Sequence, residues 1–307
     1  MTTIVPQCID AKLTRAAIFL EITLKPGEEA TNEIRALCGD LSSLERAVGF
    51  RDPDSTLSCI MGFGSDAWDR LFGSQVRPSE LHAFQEINGV HHAVATQQDI
   101  LFHVRSTRLD QCFEFVNIVM DRIRDYVETA DEVHGFKYYD ERDLLGFVDG
   151  TENPSGQLAL DSTLIKDGDF EGGSYVITQK YLHNLKSWNA LSTEQQEKII
   201  GRRKLSDVEL SDKDKPSNAH NALTVIEENG VEVKILRDNM PFGNVSKGEF
   251  GTYFIGYCST PARTEKMLNN MFVGNPPGNY DRILDFSTAV SGSLYFCPSQ
   301  TFLDSID

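Results

Sequence analysis

The stretch Gly146-Phe147-Val148-Asp149-Gly150-Thr151-Glu152-Asn153-Pro154 combines two glycines, a carboxylate between them and an Asn-Pro step. Glycine takes backbone angles that are closed to other residues, and it lets a bulky partner approach the main chain. A residue before proline is confined to extended conformations, so Asn153 ends the segment in a stiff step. The pattern predicts a tight turn that presents the Asp149 carboxylate to a ligand, although most turns that contain an acid are only turns.

Four further motifs follow in the second half of the chain. They are residues 201–204 (GRRK), 214–220 (DKPSNAH), 235–243 (ILRDNMPFG) and 280–287 (YDRILDFS). With the GxxDGxENP pattern, and in this order, they resemble the dye-decolourising peroxidases, a family of haem enzymes. The whole length resembles the compact bacterial branch of that family, whose members are cytoplasmic. The chain departs from many relatives at Ala219, where they have serine before the haem-ligating histidine; this changes a local hydrogen bond and not the ligand.

Composition sets bounds on the class of protein. The chain has 307 residues, of which 40% are hydrophobic and 24% charged, values typical of a globular protein with two domains or one large one. No run of about eighteen apolar residues is present to span a bilayer, and residues 1–7 lack the basic region and apolar core of a secretory signal. The sequence therefore predicts a cytoplasmic protein that does not enter the membrane.

The cysteines and the net charge exclude several kinds of site. Six cysteines lie far apart without CxxC spacing, which argues against zinc, iron–sulfur clusters and c-type haem attachment. Buried free thiols in a reducing cytoplasm are the preferred interpretation. The 29 basic and 46 acidic residues give a formal charge of −17. A surface of this charge repels nucleic acid and anionic membranes, so we expect neither as a partner.

The order of predicted strands and helices is similar in the two halves of the chain. Residues 16–24, 58–63 and 99–104 are predicted strands, and an apolar-periodic helix follows the third of them. In the second half, residues 251–258 form a predicted strand, and a helix that contains Met267, Leu268 and Met271 follows. Together with the resemblance, this internal similarity indicates an α+β fold of two ferredoxin-like domains with antiparallel sheets. The domains are predicted at residues 1–138 and 139–307, and the resemblance implies that haem is bound in the second.

A predicted hairpin places two polar residues near each other. Residues 222–226 and 231–236 are strand-like runs, joined by a turn at Asn229-Gly230. His220 and Arg237 lie almost equally far from that turn, so a ribbon folded there brings both to one end of a sheet. Directly opposed strand residues are only about 4.5–5.5 Å apart, too close to hold a macrocycle between them. Either the ends splay or the register shifts, and the sequence leaves both open.

The resemblance implies a role for each candidate residue. His220 corresponds to the proximal ligand of the haem iron, and a carboxylate that accepts its other ring proton makes the imidazole more electron-donating. Asp285 is the first choice for that carboxylate and Asp281 the second. Without the resemblance, both acids read as a solvated helix start or loop.

On the opposite face of the haem, the resemblance assigns Asp149 and Arg237 to the reaction with hydrogen peroxide. A carboxylate can shuttle the peroxide proton, directly or through water, and a guanidinium can stabilise the developing negative charge. Asn239 corresponds to a residue that positions the pocket water. The competing interpretation of Arg237 is a contact to a haem propionate or a surface salt bridge.

The remaining candidates concern the haem slot itself. Arg202 is the candidate propionate contact, with a solvated helix terminus as the alternative. Phe254, Leu236 and Met271 are expected to line the apolar slot, although each also suits an ordinary core.

The resemblance implies a cytoplasmic peroxidase with haem b, which reduces hydrogen peroxide and, through a ferryl intermediate, oxidises bulky aromatic or phenolic compounds or dyes. A homo-oligomer, dimeric or higher, is expected. A haem- or porphyrin-handling protein with incidental peroxidase activity is the alternative, and the acid-plus-arginine pattern argues against the related chlorite-decomposing haem family. Trp68, Trp188 or a tyrosine at the surface is a candidate electron relay for bulky donors.

Overall fold

The first half of the chain alternates strands and helices in the computed structural model, which describes residues 3–73 and 76–306. The strands are β1 (Ala16–Leu24), β2 (Ser58–Phe63), β3 (Ile87–Asn88), β4 (His92–Ala93), β5 (Ile100–Ser106) and β6 (Val127–Phe136). The helices are α1 (Glu28–Gly49), α2 (Ser65–Phe72) and α3 (Leu109–Ile123). The strands predicted at residues 16–24 and 58–63 and the helix predicted after the third strand are confirmed.

The second half adds further strands and shorter helices. The strands are β7 (Ser174–His183), β8 (Ile226–Glu228), β9 (Val231–Val233), β10 (Leu236–Arg237), β11 (Met240–Asn244), β12 (Glu249–Cys258), β13 (Ser287–Ala289) and β14 (Ser293–Cys297). The helices are α4 (Gln157–Thr163), α5 (Leu185–Asn189), α6 (Thr193–Ile200), α7 (His220–Thr224), α8 (Pro261–Phe272) and α9 (Gln300–Leu303). The strand predicted at residues 251–258 and the helix after it are confirmed.

Each half contributes an antiparallel sheet. The first has the strand order β2-β5-β1-β6 and the second β10-β12-β7-β14, with β11 beside β12 and β13 beside β7. The two sheets join where β14 meets β2, at Phe296 opposite Phe63. The predicted α+β class with antiparallel sheets is confirmed, whereas the division at residue 138 stays a prediction.

The two faces of each sheet pack against different partners. Along β1, Ile18, Leu20 and Ile22 belong to the cluster beneath the helices, whereas Phe19 belongs to a second cluster. This alternation follows from the two-residue period of a strand. In the second cluster the Phe19 ring stacks on the Tyr253 ring of the other sheet, with 4.0 Å between centroids. The inner faces of the two sheets therefore share one core.

Across residues 3–73 and 76–306, no helix has the length and apolar character that crossing a membrane requires. All six cysteines are free, and five of them are buried as predicted. Cys8 is exposed, so the prediction of a buried thiol is wrong at that position.

The predicted hairpin is only partly correct. Its turn is confirmed, because Asn229 and Gly230 both have positive φ, at 53° and 77°, and Glu228 lies opposite Val231. The run predicted at residues 222–226 is mostly not a strand, because residues 222–224 belong to α7 and only Ile226 belongs to β8. The helix α7 packs against α8 through a bond from Asn270 Nδ2 to the Leu223 carbonyl at 3.1 Å. Packing against a neighbouring helix thus overrides the strand preference of the sequence.

Candidate active site

A cavity of about 410 Å³ opens beside β7, β10 and β12, between α7, α8 and the segment that contains residues 143–152. Its size is that of a small-molecule or cofactor site. The apolar part of its wall consists mainly of Leu145, Phe147, Ile200, Val233, Ile235, Phe254, Met267, Leu268, Met271 and Ile283. The polar part includes Asp143, Asp149, Arg202, His183, His220, Arg237 and Asn239. Seven of the nine predicted site residues line this cavity, and Asp285 and Leu236 do not.

His220 begins α7 and is fixed by a carboxylate. Its Nδ1 lies 2.7 Å from Asp281 Oδ2, and Asp281 is completely buried. The other carboxylate oxygen of Asp281 accepts a hydrogen bond from the Ile283 main-chain N–H at 3.0 Å, so the acid caps the turn Arg282–Asp285. When the carboxylate accepts from Nδ1–H, the lone pair of the neutral ring lies on Nε2, at the opposite edge of the ring. The histidine therefore offers a lone pair to a ligand in the cavity.

The sequence analysis preferred Asp285 as the partner of His220, and this prediction is wrong. Asp285 accepts hydrogen bonds from the Tyr280 hydroxyl at 3.0 Å and from Arg282 Nε at 2.6 Å, and it lies 3.1 Å from His91 Nε2. The second choice, Asp281, makes the contact. The two acids lie at opposite ends of one short helical turn, and only the residue that caps its start points inward.

Arg237 and Asn239 project into the cavity from the segment where β10 ends and β11 begins. Asn239 Oδ1 accepts from the Ile255 N–H at 3.1 Å, and its Nδ2 donates to Asp149 Oδ2 at 3.2 Å. The amide thus links a fixed point on β12 to the acid of the GxxDG turn. Within the described residues the Arg237 guanidinium makes no ion pair, so its charge faces the cavity uncompensated.

Asn153 holds the motif against the strand that carries Arg237. Its Oδ1 accepts from the Arg237 N–H at 3.0 Å, and its Nδ2 donates to the Arg237 carbonyl at 2.6 Å. A side-chain amide can satisfy both main-chain groups of one residue in this way. The sequence prediction assigned Asn153 only a stiff extended step and missed this clamp.

The GxxDG turn has the predicted backbone. Gly146 and Gly150 have φ of 89° and 85°, in the region that favours glycine. At Gly146 a side chain would also lie 2.7 Å from Lys204 Cε. The Asp149 N–H donates to the Glu141 carbonyl at 3.0 Å. The position of Asp149 is therefore fixed in two ways, by the backbone angles of the two glycines and by its main-chain hydrogen bond.

Neither tryptophan lies at the surface, so the prediction of a surface relay at these two residues is wrong. Trp68 and Trp188 are both completely buried. Trp188 Nε1 donates to the Leu145 carbonyl at 2.9 Å, and its ring packs edge-on against Phe147 at 6.2 Å between centroids. Through these contacts to Leu145 and Phe147, Trp188 supports the GxxDG turn.

The apolar wall differs from the prediction at one residue. Phe254 and Met271 line the cavity, but Leu236 lies in the shared inner core of the two sheets. Side chains alternate along a strand, so Ile235 and Arg237 face the cavity and the residue between them faces away. Met267 and Leu268 were named only as helix residues; Met267 and Met271 are four apart on α8 and share one face.

A second histidine in the cavity wall was not predicted. His183 Nδ1 lies 2.8 Å from Ser287 Oγ, and Nε2 lies 2.9 Å from Thr252 Oγ1. Burial lowers its pKa to about 4, so the ring is neutral at pH 7. Because both ring nitrogens are engaged by hydroxyls, His183 does not offer the free lone pair that His220 does.

Arg202 lines the cavity beside two acids. Its Nε lies 3.0 Å from Asp207 Oδ1 and its Nη1 lies 3.0 Å from Glu152 Oε1. Glu152 also meets Lys234 Nζ, at 3.3 Å. Lys234 Nζ also lies 2.5 Å from Glu232 Oε1, so the two cations at the cavity wall are paired with three acids.

Asp143 is a titrating group of the cavity wall. Its Oδ1 accepts from the Phe147 N–H at 3.0 Å, which braces the GxxDG turn. Burial raises the pKa of Asp143 to about 7, and the nearby Asp149 charge adds to the increase.

Raising the pH from about 4 to about 7 is expected to destabilise the parent relative to Asp143→Asn. In the unfolded chain the carboxyl ionises near its ordinary pKa of 3.8, whereas the folded carboxyl stays protonated until the pH nears 7. The stability difference should therefore grow through this range and level off above it. Urea unfolding of both proteins at a series of pH values measures it, and parallel curves would contradict the raised pKa.

Family models match nearly the whole chain. A model described as Dyp-type peroxidase, N-terminal, matches residues 6–137, and one described as Dyp-type peroxidase, C-terminal, matches residues 140–302. A dye-decolorizing peroxidase of Rhodococcus erythropolis is 55% identical over 98% of this chain and 88% of its own. One of Mycobacterium tuberculosis is 55% identical over 97% of this chain and 90% of its own.

Solved structures agree with this likeness. DyPB from Rhodococcus jostii superposes with a TM-score of 0.95 at 48% identity, over 100% of this chain and 99% of that one. A variant of the same protein, in complex with heme, has a TM-score of 0.95 over 98% of both chains. The encapsulated DyP-type peroxidase from Mycobacterium smegmatis has a TM-score of 0.95 at 55% identity, over 99% of this chain and 98% of that one.

Proposed function

The chain belongs to the Dyp-type peroxidase family, and from this premise we propose that its cavity binds haem b and reduces hydrogen peroxide while oxidising bulky aromatic or phenolic compounds or dyes. The observation that carries the proposal is the meeting, in one cavity, of an imidazole backed by a buried carboxylate and of an arginine, an asparagine and a second carboxylate. The first set suits an iron ligand, and the second suits the polarisation of a peroxide bond.

The residues present fit haem better than a bare metal ion. Within the described ranges, no group of three or more His, Cys, Asp or Glu side chains could hold a metal. Iron held by four porphyrin nitrogens needs few protein ligands, and one histidine with a free Nε2 suffices. The apolar walls suit the macrocycle, and the cations Arg202 and Lys234, although each is paired with acids, would be the contacts for its propionates. His220 would hold the iron, with Asp281 making the imidazole more electron-donating.

Haem, when bound, supplies the redox chemistry, and the chain's own side chains handle the proton and the charge. Asp149 takes the proton from one peroxide oxygen and returns it to the other, directly or through water. Arg237 stabilises the negative charge that develops on the departing oxygen, since its guanidinium has no ion-pair partner among the described residues. Asn239 holds the Asp149 carboxylate through the 3.2 Å bond from its amide.

Stoichiometric hydrogen peroxide tests the proposal. The purified protein should show a haem absorption spectrum, and one equivalent of peroxide should change that spectrum rapidly; the product should then be returned to the starting state by a phenol. Haem that moves readily to an acceptor protein, with only sluggish peroxide chemistry, would favour a haem-handling protein and overturn the enzyme.

Asp281→Asn is expected to speed haem loss by about tenfold or more, because replacing the outer partner of a ligating histidine commonly costs 10–100-fold. Asp285→Asn is the matched control, since this acid bonds Tyr280 and Arg282. Transfer of haem to excess acceptor protein measures both rates. Equal rates in the two variants would show that the carboxylate at 281 does not support the ligand.

We further propose a cytoplasmic homo-oligomer, dimeric or higher. Six free cysteines, one of them exposed, suit a reducing compartment. The oligomer follows from the family expectation. Sedimentation of the purified holoprotein decides it, and a monomer at micromolar concentration would contradict the proposal.

A further inference from the structure

Asp238 lies between Arg237 and Asn239 but faces the other way. Its neighbours project into the cavity, whereas Asp238 is 3% exposed and points into the shared inner core. There its Oδ2 accepts from Arg105 Nη1 at 2.7 Å. Arg105, on β5, is 1% exposed. A fully buried ion pair therefore joins the first half of the chain to the segment that carries the two peroxide-side residues.

The arginine of this pair is itself held in place. Arg105 Nη2 donates to the Cys8 carbonyl, and Nε lies 3.4 Å from Ser58 Oγ. Burial disfavours its charge, but the Asp238 carboxylate and other neighbouring groups together raise the pKa of Arg105. The guanidinium is thus a permanently charged, fixed anchor for Asp238.

A neutral histidine completes the surroundings of the carboxylate. His103 Nε2 lies 3.6 Å from Asp238 Oδ2, and Nδ1 lies 2.8 Å from the Tyr257 hydroxyl. Burial and the Arg105 charge hold the pKa of His103 well below its ordinary value. The ring must direct Nε2–H toward the acid, because an unprotonated nitrogen there would face a negative charge. Tyr257 then donates to Nδ1.

The main chain alone holds this segment weakly. β10 ends at Arg237 and β11 begins at Met240, so residues 238 and 239 belong to no strand. One main-chain bond remains there, from the Asp238 N–H to the Ile255 carbonyl at 3.2 Å. Side chains supply the other restraints: the Asn153 clamp, the Asn239 amide and the Asp238 carboxylate.

We propose that Asp238, anchored by Arg105, is a positioning residue that directs Arg237 and Asn239 into the cavity. The inference rests on the proposed function of those two residues. Because side chains alternate along an extended segment, a carboxylate held on one side fixes the direction of both neighbours on the other. A reacting group that is displaced by about 1 Å can lose on the order of a hundredfold in rate, so such a restraint has a large effect on chemistry.

A buried ion pair contributes little net stability to a fold, so its effect on positioning can be measured apart from its effect on stability. Replacing both partners by apolar residues of similar volume is often neutral, whereas removing one leaves a buried charge. Arg105→Met/Asp238→Leu is therefore expected to retain haem, its Soret band and an unfolding temperature near that of the parent. It should nevertheless bind cyanide at the ferric haem about tenfold more weakly or worse, and react with peroxide about tenfold more slowly or worse.

Parent-like cyanide affinity and peroxide rate in that double variant would overturn the proposal, since the pair would then serve stability alone. If the double variant does not fold, Arg105→Lys decides. Lysine keeps the charge and loses the planar fork, so weaker cyanide binding at an unchanged unfolding temperature supports positioning, and unchanged binding overturns it.

Two further variants complete the test. Arg122→Met is the control, because Arg122 pairs with Glu33 and Asp40 on α1 away from the cavity, and it should leave cyanide affinity unchanged. Arg237→Leu separates the two proposals. If Arg237→Leu reacts at the parental rate, the assigned function of Arg237 fails; if it is slow while the double variant is not, only the positioning inference fails.

Discussion

Arg237→Leu is expected to slow the peroxide-dependent change of the haem spectrum by about a hundredfold or more, because removing one preorganised donor of charge stabilisation commonly costs that much. The guanidinium lines the cavity, and within the described residues it has no carboxylate partner. Its charge is therefore available to the departing oxygen. Leucine keeps the apolar stem and the strand contacts of β10, so haem content should stay near that of the parent.

Asp149→Asn separates proton transfer from charge stabilisation. Water can relay the proton when the carboxylate is lost, so this variant should be slowed less than Arg237→Leu. Asparagine can still meet the Asn239 amide, since its own carbonyl oxygen accepts hydrogen bonds. Stopped-flow spectroscopy at equal haem content measures both rates. Near-parental rates in both variants would mean that neither residue does this chemistry.

His220→Ala is expected to lose haem during purification. The described residues provide no second histidine in the cavity with a free ring nitrogen, because His183 is bonded to Ser287 and Thr252 through both. Loss of the ligand itself should reduce haem affinity by more than the roughly 10–100-fold that loss of an outer partner costs. The haem-to-protein absorbance ratio and the Soret position measure the effect.

His183→Gln is the matched control for that variant. It removes the other imidazole of the same cavity while keeping groups that can bond both hydroxyls. Its haem content should be close to that of the parent. A full complement of haem with an unchanged Soret band in His220→Ala would remove His220 as the ligand, and loss of haem in His183→Gln would assign that role to His183.

Local features of this protein followed directly from its sequence. The glycines of the GxxDG turn and the Asn229-Gly230 turn were predicted because their backbone angles depend on the residues themselves. The long strand Ala16–Leu24 and the helix α8 were predicted from their apolar periodicity. The family resemblance, carried by motifs in a fixed order, is confirmed by the models that match residues 6–137 and 140–302.

The errors occurred where a distant contact decides the outcome. The sequence preferences of residues 222–226 favour a strand, yet part of that run lies in α7, which packs on α8. Leu236 faces the inner core because the pairing of β10 with β12 sets which side is the cavity. Trp68 and Trp188 were candidates for the surface, and tertiary packing buries both. Propensity and spacing contain no information about these contacts.

By itself, the sequence determined two turns, several strands and helices, the family and some of the polar residues at the site, because short-range backbone preferences and ordered motifs specify them. It missed the longest helix, α1, and the cavity residues Asp143 and His183. Only the tertiary structure decided which groups meet. His220 and Asp281 are 61 positions apart, and Arg105 and Asp238 are 133 apart. Such pairs form because packed sheets and helices bring distant segments into contact, and because a buried charge is costly unless it is paired or hydrogen-bonded.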